Sequence, residues 1–178
     1  QQGQCMSGKL ASLETRHQHA LEAFLSDFDA QPKELHGYFC ERDWPIDRAV
    51  HALAAWGRGE ELRGGRVPGS TWFWEEDTAL QGVINVRHYL TPSLEEWGGH
   101  IGYCVAPTHR NKGVATRMLA AVLKPCRRLK IERALLTCDA ENAASWKTIE
   151  ANGGALDRED WCETAKCTQR WYWIDLAF

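Results

Sequence analysis

Apolar positions along the chain alternate between a period near 3.6 and a period of 2, and the switches mark out the elements. Leu10 to Glu14 reads as a short first strand. Thr15-Arg-His-Gln18 has the form of a capping box, and the helix it opens presents Leu21, Phe24, Leu25 and Phe28 on one face. Gln31-Pro32 stops that helix. Residues 33–42 follow no period and leave Tyr38, Phe39 and Cys40 exposed or lining something. Asp43, with Pro45 in the first turn, starts a second helix whose face is Ile46, Ala49, Val50, Leu53 and Trp56. Gly57 ends it, and Arg58 to Gly69 forms a charged, glycine-rich connection, a flap or a plain solvated loop.

The period then becomes 2. Thr71–Trp74 is a strand, followed by a turn at Glu75-Glu-Asp77. Gly82–Tyr89 is another, with Val83, Asn85 and Arg87 on one face and Ile84, Val86 and His88 on the other. Thr91–Glu96 makes a loop, and Trp97-Gly-Gly-His100 leads into a strand over Ile101–Val105 that Pro107 closes. From Gly113 the spacing is helical again, with Val114, Met118, Ala121 and Val122 on one face, until Pro125 kinks or ends the helix. Ala134–Cys138 is a buried strand. Asn142 N-caps a short helix that carries Trp146 and Ile149 inward and closes at Gly153-Gly154. Ala155–Trp161 and Gln169–Leu176 make a final hairpin. The order predicts a mixed α/β sheet of about seven strands with about four helices packed on it. Its middle strands form an antiparallel meander, and a β-α-β crossover makes Ile101–Val105 and Ala134–Cys138 parallel.

At 178 residues the chain suits one domain, residues 6–178, with residues 1–5 read as a remnant ahead of a natural start at Met6-Ser7. A net charge of −3 gives no basic field for nucleic acid or an anionic membrane, and no apolar run reaches the length of a membrane span. Gln1 to Cys5 lacks the basic-then-apolar pattern of a signal peptide. Seven cysteines, with no Cys-x-x-Cys, fit reduced thiols in a cytoplasmic protein and give no metal site, although Cys162 and Cys167 are placed to oppose each other across the hairpin. The nine tryptophans exceed what a core needs and suggest that some line a pocket.

One stretch carries chemistry. Between strand and helix lies Arg110-Asn-Lys-Gly-Val-Ala115, a basic turn with glycine where the helix begins. The first amides of a helix have no intrahelical acceptor and sit at the positive end of its dipole, so such a turn suits phosphate. No Gly-Lys-Ser/Thr follows, which excludes the nucleoside-triphosphatase phosphate loop.

That turn fits Arg/Gln-x-x-Gly-x-Gly/Ala, and Asn142-x-x-Ser145 followed by Gly153-Gly154 fits a second segment of the same pattern. With the element order, these motifs make the chain resemble the GNAT N-acetyltransferases over nearly its whole length, closest to the bacterial predicted acetyltransferases with Gly-Gly-His-Ile-Gly-Tyr before the turn. The resemblance implies a sheet splayed at the central strand, with acetyl-CoA as co-substrate and no metal. It implies that Cys104 and Val105, with Tyr103, pair with the pantetheine arm. It also implies that Arg110, Asn111, Lys112, Gly113, Val114, Ala115 and Thr116 hold the pyrophosphate, and that Asn142 and Ser145 close the arm from the other side. The reaction would be direct attack of a primary amine on the thioester, which needs a base, a donor for the carbonyl oxygen and an acid for the thiolate.

Where many members place the acid tyrosine, this chain has Ile149. His100 is the first choice for the base, against a histidine hydrogen-bonded in the core, and Tyr103 is an acid or a packing residue. Asn85, Arg87 and Trp97 are the substrate-side candidates, with Trp72 and Trp74 as further walls and Glu95 and Glu96 as attractors of a cation. Cys104 and Cys138 read as packing. The expected acceptor is a small-molecule amine, cationic in the manner of an aminoglycoside-like antibiotic or polyamine, or an amino acid or peptide. The alternative is a CoA-binding sensor or partner module with little activity. A homodimer stays open.

Overall fold

In the computed structural model, residues 8–177 are described; the N-terminal remnant assigned to residues 1–5 lies outside them. A short strand β1 (Lys9–Ala11) leads through a 3-10 turn at Thr15–His17 into α1 (Gln18–Ser26). The capping box is shifted by one residue from the expected Thr15 and Gln18. Glu14 caps, and its backbone amide donates to His17 Nδ1 at 3.0 Å. His17 is drawn inward because its ring also meets Glu75, at 3.4 Å. Leu21, Phe24, Leu25 and Phe28 are buried as the period required.

Helix α2 (Ile46–Gly57) begins later than Asp43, because Pro45 at φ −55° and ψ 147° is still extended. It buries Ala49 and Ala55, while Ile46, Val50, Leu53 and Trp56 are half-covered. Strands β2 (Gly69–Glu76) and β3 (Ala79–Arg87) form a hairpin whose turn falls at Asp77-Thr78, not at Glu75–Asp77. Both turn residues have positive φ, as a two-residue turn between right-twisted strands demands. Glu75 and Glu76 are kept in the strand by Arg16, at 2.7 Å, and Arg117, at 3.2 Å. The stretch expected to be a loop at 91–96 contains a short helix α3 (Pro92–Glu96), N-capped by the Thr91 hydroxyl.

Next come β4 (Ile101–Val105), α4 (Val114–Arg128), β5 (Arg133–Asp139), α5 (Ala143–Ala151), β6 (Ala155–Cys162) and β7 (Cys167–Asp175). Pro125 does not end α4, which runs on to Arg128 and closes with Leu129 N–H donating to Pro125 O. Cys162 and Cys167 do face each other across the β6–β7 hairpin, with both thiols free. Among the described residues, no helix is long and apolar enough to cross a membrane, and no group of His, Cys, Asp or Glu is gathered to hold a metal ion.

The seven strands divide into an antiparallel sheet ordered β1-β2-β3-β4 and a second ordered β5-β7-β6. The splay is therefore complete: no parallel ladder joins β4 to β5. The two sheets meet at one corner, where His100 N–H donates to Leu135 O at 2.8 Å and Leu135 N–H donates to His100 Nδ1 at 2.9 Å. Helices α1 and α2 cover one face, around Phe24, Phe28, Phe73 and Val83. Helices α4 and α5 cover the other, around Met118, Leu119, Val122, Ile149 and Tyr172.

Gly99 makes this corner possible. Its φ is +61°, and a Cβ there would lie 2.4 Å from Leu135 O. Gly99→Ala is expected to destabilise the fold by about 2–4 kcal/mol through left-handed strain and overpacking. Gly64→Ala, at φ +62° with nothing within 4 Å, carries only the strain and should cost about 1–2 kcal/mol. Urea unfolding midpoints of the two variants check the difference; equal shifts would mean that the corner is not close-packed.

Candidate active site

The site is built where β4 ends. Pro107 starts a 3-10 turn to His109, and the chain then loops through Asn111 (φ +60°) and Gly113 (φ +75°) into α4. Gly113 is the N-cap and offers no side-chain acceptor, so the first amides of α4 are left for something else. The loop is pinned from outside. Thr108 donates through its backbone N–H and hydroxyl to Asp27 at the end of α1, at 3.1 and 2.7 Å. Arg110 donates from Nε to Val105 O at 3.2 Å and pairs with Glu34 at 2.6 Å.

Antiparallel pairing decides which way β4 offers its backbone. Arg87 N–H donates to His100 O and Ala106 N–H donates to Gln81 O, so the His100 carbonyl, the peptide groups of Gly102 and Cys104, and the Ala106 N–H turn toward β3. The N–H and C=O groups of Tyr103 and Val105 then point away from β3, into the gap between the sheets. The far wall is the start of α5, where Asn142 Oδ1 accepts from Ser145 N–H at 3.2 Å and its amide nitrogen is free among the described residues.

A cavity of about 630 Å³ joins these parts. Tyr103, Cys104, Val105, Arg110, Asn111, Gly113, Val114, Ala115, Thr116, Asn142 and Ser145 all line it. Lys112 stands outside the lining and donates to Thr108 O at 3.1 Å. A Cβ on Gly113 would meet nothing within 4 Å.

Tyr103 reaches across the gap, its hydroxyl 3.0 Å from Ser145 Oγ and 3.3 Å from Ser145 O. Burial pushes this phenol up to about 12. Ile149 is buried in the core of α5 at 1 % exposure, so β4 rather than α5 supplies the phenol in this gap. Cys104 donates its thiol to His36 O at 3.0 Å, and burial pushes it up to about 11; Cys138 is raised likewise to about 11. Both stay protonated near neutral pH and are poor nucleophiles.

Five further expected residues lie elsewhere. His100 is buried at the sheet corner and spends Nδ1 on the Leu135 amide; burial, with the charge of Arg87, lowers it to about 4. It does not line the cavity. Arg87 braces the turn before β4 by donating to Gly98 O and Gly99 O at 3.2 and 3.1 Å. Trp97 is half-exposed and Trp74 is packed in the core, both away from the cavity. Asn85 is sealed under the loop at Gly37, whose carbonyl accepts from Nδ2 at 3.4 Å, and its Oδ1 has no partner among the described residues.

The pattern of the sequence missed Glu34, His36, His109 and Thr148, which also line the cavity. Glu34 and His36 come from the aperiodic stretch 33–42, where no spacing marks a position. Pro107 and the short turn after it were the only available signal for His109.

Residues 13–155 match the family described as Acetyltransferase (GNAT) domain. No curated protein matches the chain by sequence. Among solved structures, the microcin C7 self-immunity acetyltransferase MccE in complex with acetyl-CoA and AMP aligns at a TM-score of 0.67 and 13 % identity, over 93 % of this chain and 91 % of that one. The Salmonella typhimurium acetyltransferase that modifies the N-terminal serine of ribosomal protein L7/L12 aligns at 0.67 and 16 %, over 93 % of each chain. Mycobacterium smegmatis RimJ in complex with CoA-disulfide aligns at 0.65 and 19 %, over 93 % and 80 %. The match across most of the chain agrees with the uncapped turn of α4 and the open edge of β4 meeting in one cavity: the chain belongs to the GNAT acetyltransferase family.

Proposed function

We propose that this chain moves the acetyl group of acetyl-CoA to a primary amine by direct attack of the neutral amine on the thioester. The observation that carries the reading is the continuity of one cavity from the free amides of α4 to the outward backbone of β4. A pyrophosphate needs the first and a pantetheine arm needs the second. Residues fit the cofactor as follows: the turn from Asn111 to Thr116 takes the pyrophosphate, with Arg110 and Lys112 adding charge. Tyr103 and Val105 pair with the arm, Cys104 packs beside it, and the free amide nitrogen of Asn142 closes it from α5 with Ser145. The bound group supplies an activated acetyl thioester.

The remaining tasks fall to this chain's own side chains. The outward N–H groups of β4 hold the developing negative charge on the carbonyl oxygen. Tyr103 donates a hydrogen bond to the departing sulfur. At about 12 it is a weaker acid than a thiol, whose ordinary value is about 8.5, so complete proton transfer from it would run uphill by roughly 5 kcal/mol. Tyr103→Phe is therefore expected to lower kcat by about tenfold, as for loss of one hydrogen bond to a charged atom, with KM for acetyl-CoA little changed. Steady-state kinetics at saturating amine check this.

His36 takes the proton of the attacking amine. Of the cavity-lining groups able to accept one, Glu34 is held by Arg110, whereas His36 is exposed and borders the cavity, its backbone carbonyl accepting from the Cys104 thiol. His109 lies on the turn at the phosphate end. The acceptor comes from the side of the 33–42 loop. Small cationic amines and peptide N-termini both fit, and modification of an N-terminal serine by the Salmonella neighbour puts a peptide first in the panel.

The test is thiol release from acetyl-CoA against peptide N-termini, amino acids, polyamines and aminoglycosides. Saturable turnover on any of them supports the reading. The sensor alternative draws on the buried Ile149, and tight CoA binding with no turnover across the panel would favour it.

A further inference from the structure

A second cavity, of about 300 Å³, lies beside α2 and shares none of the lining of the first. That volume is at the lower end of the range for small-molecule sites, roughly 300–1,000 Å³. Its walls are aromatic and cationic. Phe39 and Trp56 meet edge to face, ring centroids 5.0 Å apart at 70°. Trp56 is fixed by donation from Nε1 to Val67 O at 2.8 Å, so this aromatic corner is held in place. Arg48 lies 4.0 Å over the ring of Trp44, and Arg66 lies 5.4 Å over the ring of Phe39.

A guanidinium stacked on a ring keeps its in-plane N–H donors free, and the stacking orients that fork. Among the described residues, neither of these arginines nor Arg63, also in the lining, pairs with a carboxylate. Of the two lining glutamates, Glu60 is already taken by Arg58 at 2.9 Å. Three guanidinium groups thus share one concavity with one uncommitted carboxylate, Glu61. A purely structural cation–π pair needs neither the concavity nor the surplus of donors.

We propose that this cavity binds a flat aromatic ring carrying an anionic group, with the ring against the face formed by Phe39, Trp44 and Trp56 and the anion in the forks of Arg48 and Arg66. The experiment is calorimetric titration of the whole protein with AMP and with phenyl phosphate, in the absence of CoA, whose own adenine and phosphates would compete for the site. Adenosine and inorganic phosphate serve as the ring without the anion and the anion without the ring. One-to-one binding of AMP or phenyl phosphate is expected, with the corresponding half-ligands at least tenfold weaker. Trp44→Ala and the surface change Arg66→Gln should each weaken binding at least tenfold and leave KM for acetyl-CoA unchanged. Absence of saturable binding by either probe overturns the proposal, as does binding that both variants leave intact. Adenosine binding as well as AMP would remove the anion from it, and phosphate binding as well as AMP would remove the ring.

Discussion

Replacing Gly113 with valine is expected to raise KM for acetyl-CoA by about 100-fold or more, with the fold retained. Two costs combine. Gly113 holds φ at +75°, where a side chain costs roughly 1–2 kcal/mol and a β-branched one is least tolerated. A Cβ there would also project into space that is now open and borders the first amides of α4. Displacing a phosphate from even one of those amides removes a charge-assisted hydrogen bond of about 1.5–3 kcal/mol. The sum reaches the roughly 2.7 kcal/mol that 100-fold requires. Gly113→Ala, with less strain and a smaller intrusion, should give about tenfold. Initial rates over a range of acetyl-CoA concentration check both, and an unchanged KM for the valine variant would place the pyrophosphate elsewhere.

His36→Ala is expected to lower kcat by at least about 100-fold, the lower bound for losing a positioned general base. Its signature lies in the pH profile. The wild-type rate should fall on the acid side, because a protonated base cannot accept the amine's proton. In the alanine variant that limb disappears, and the remaining rate follows the free amine alone. His100→Gln provides the contrast. His100 accepts a backbone amide at the sheet corner and stands outside the cavity, so its replacement should move the unfolding midpoint and leave the pH limb in place. A limb that survives in His36→Ala would give the base role to another group.

The parts of this molecule that follow a period were legible from the chain. Leu21, Phe24, Leu25 and Phe28 are buried together, and Val83 and Asn85 share a face of β3 opposite Ile84 and Val86. The turn from Arg110 to Gly113 was legible for another reason: a glycine at positive φ before an apolar helix is a local feature that needs no tertiary partner. Element ends were set by contacts that no pattern announces. Glu75 and Glu76 belong to β2 because Arg16 and Arg117 reach them from distant segments.

The chemistry was least legible where one backbone group claims a side chain. His100 is on the expected strand approach, yet the Leu135 amide takes its Nδ1, and the gap that the two sheets leave open is framed by that same contact. Arg87 is spent in the same way on the carbonyls of Gly98 and Gly99. His36, Glu34, Phe39 and Trp44 all lie on or next to the stretch without a period, and both cavities draw on it. The tryptophan excess did mark a lined pocket, with Trp44 and Trp56 in its wall rather than Trp72, Trp74 or Trp97.

Amide hydrogen exchange with and without CoA tests the central assignment most directly, since it reads the backbone groups themselves. CoA is expected to slow exchange at Val114, Ala115 and Thr116, at the head of α4, and at the outward amides of Tyr103 and Val105. Leaving those five amides unchanged while protecting another part of the chain would contradict that assignment.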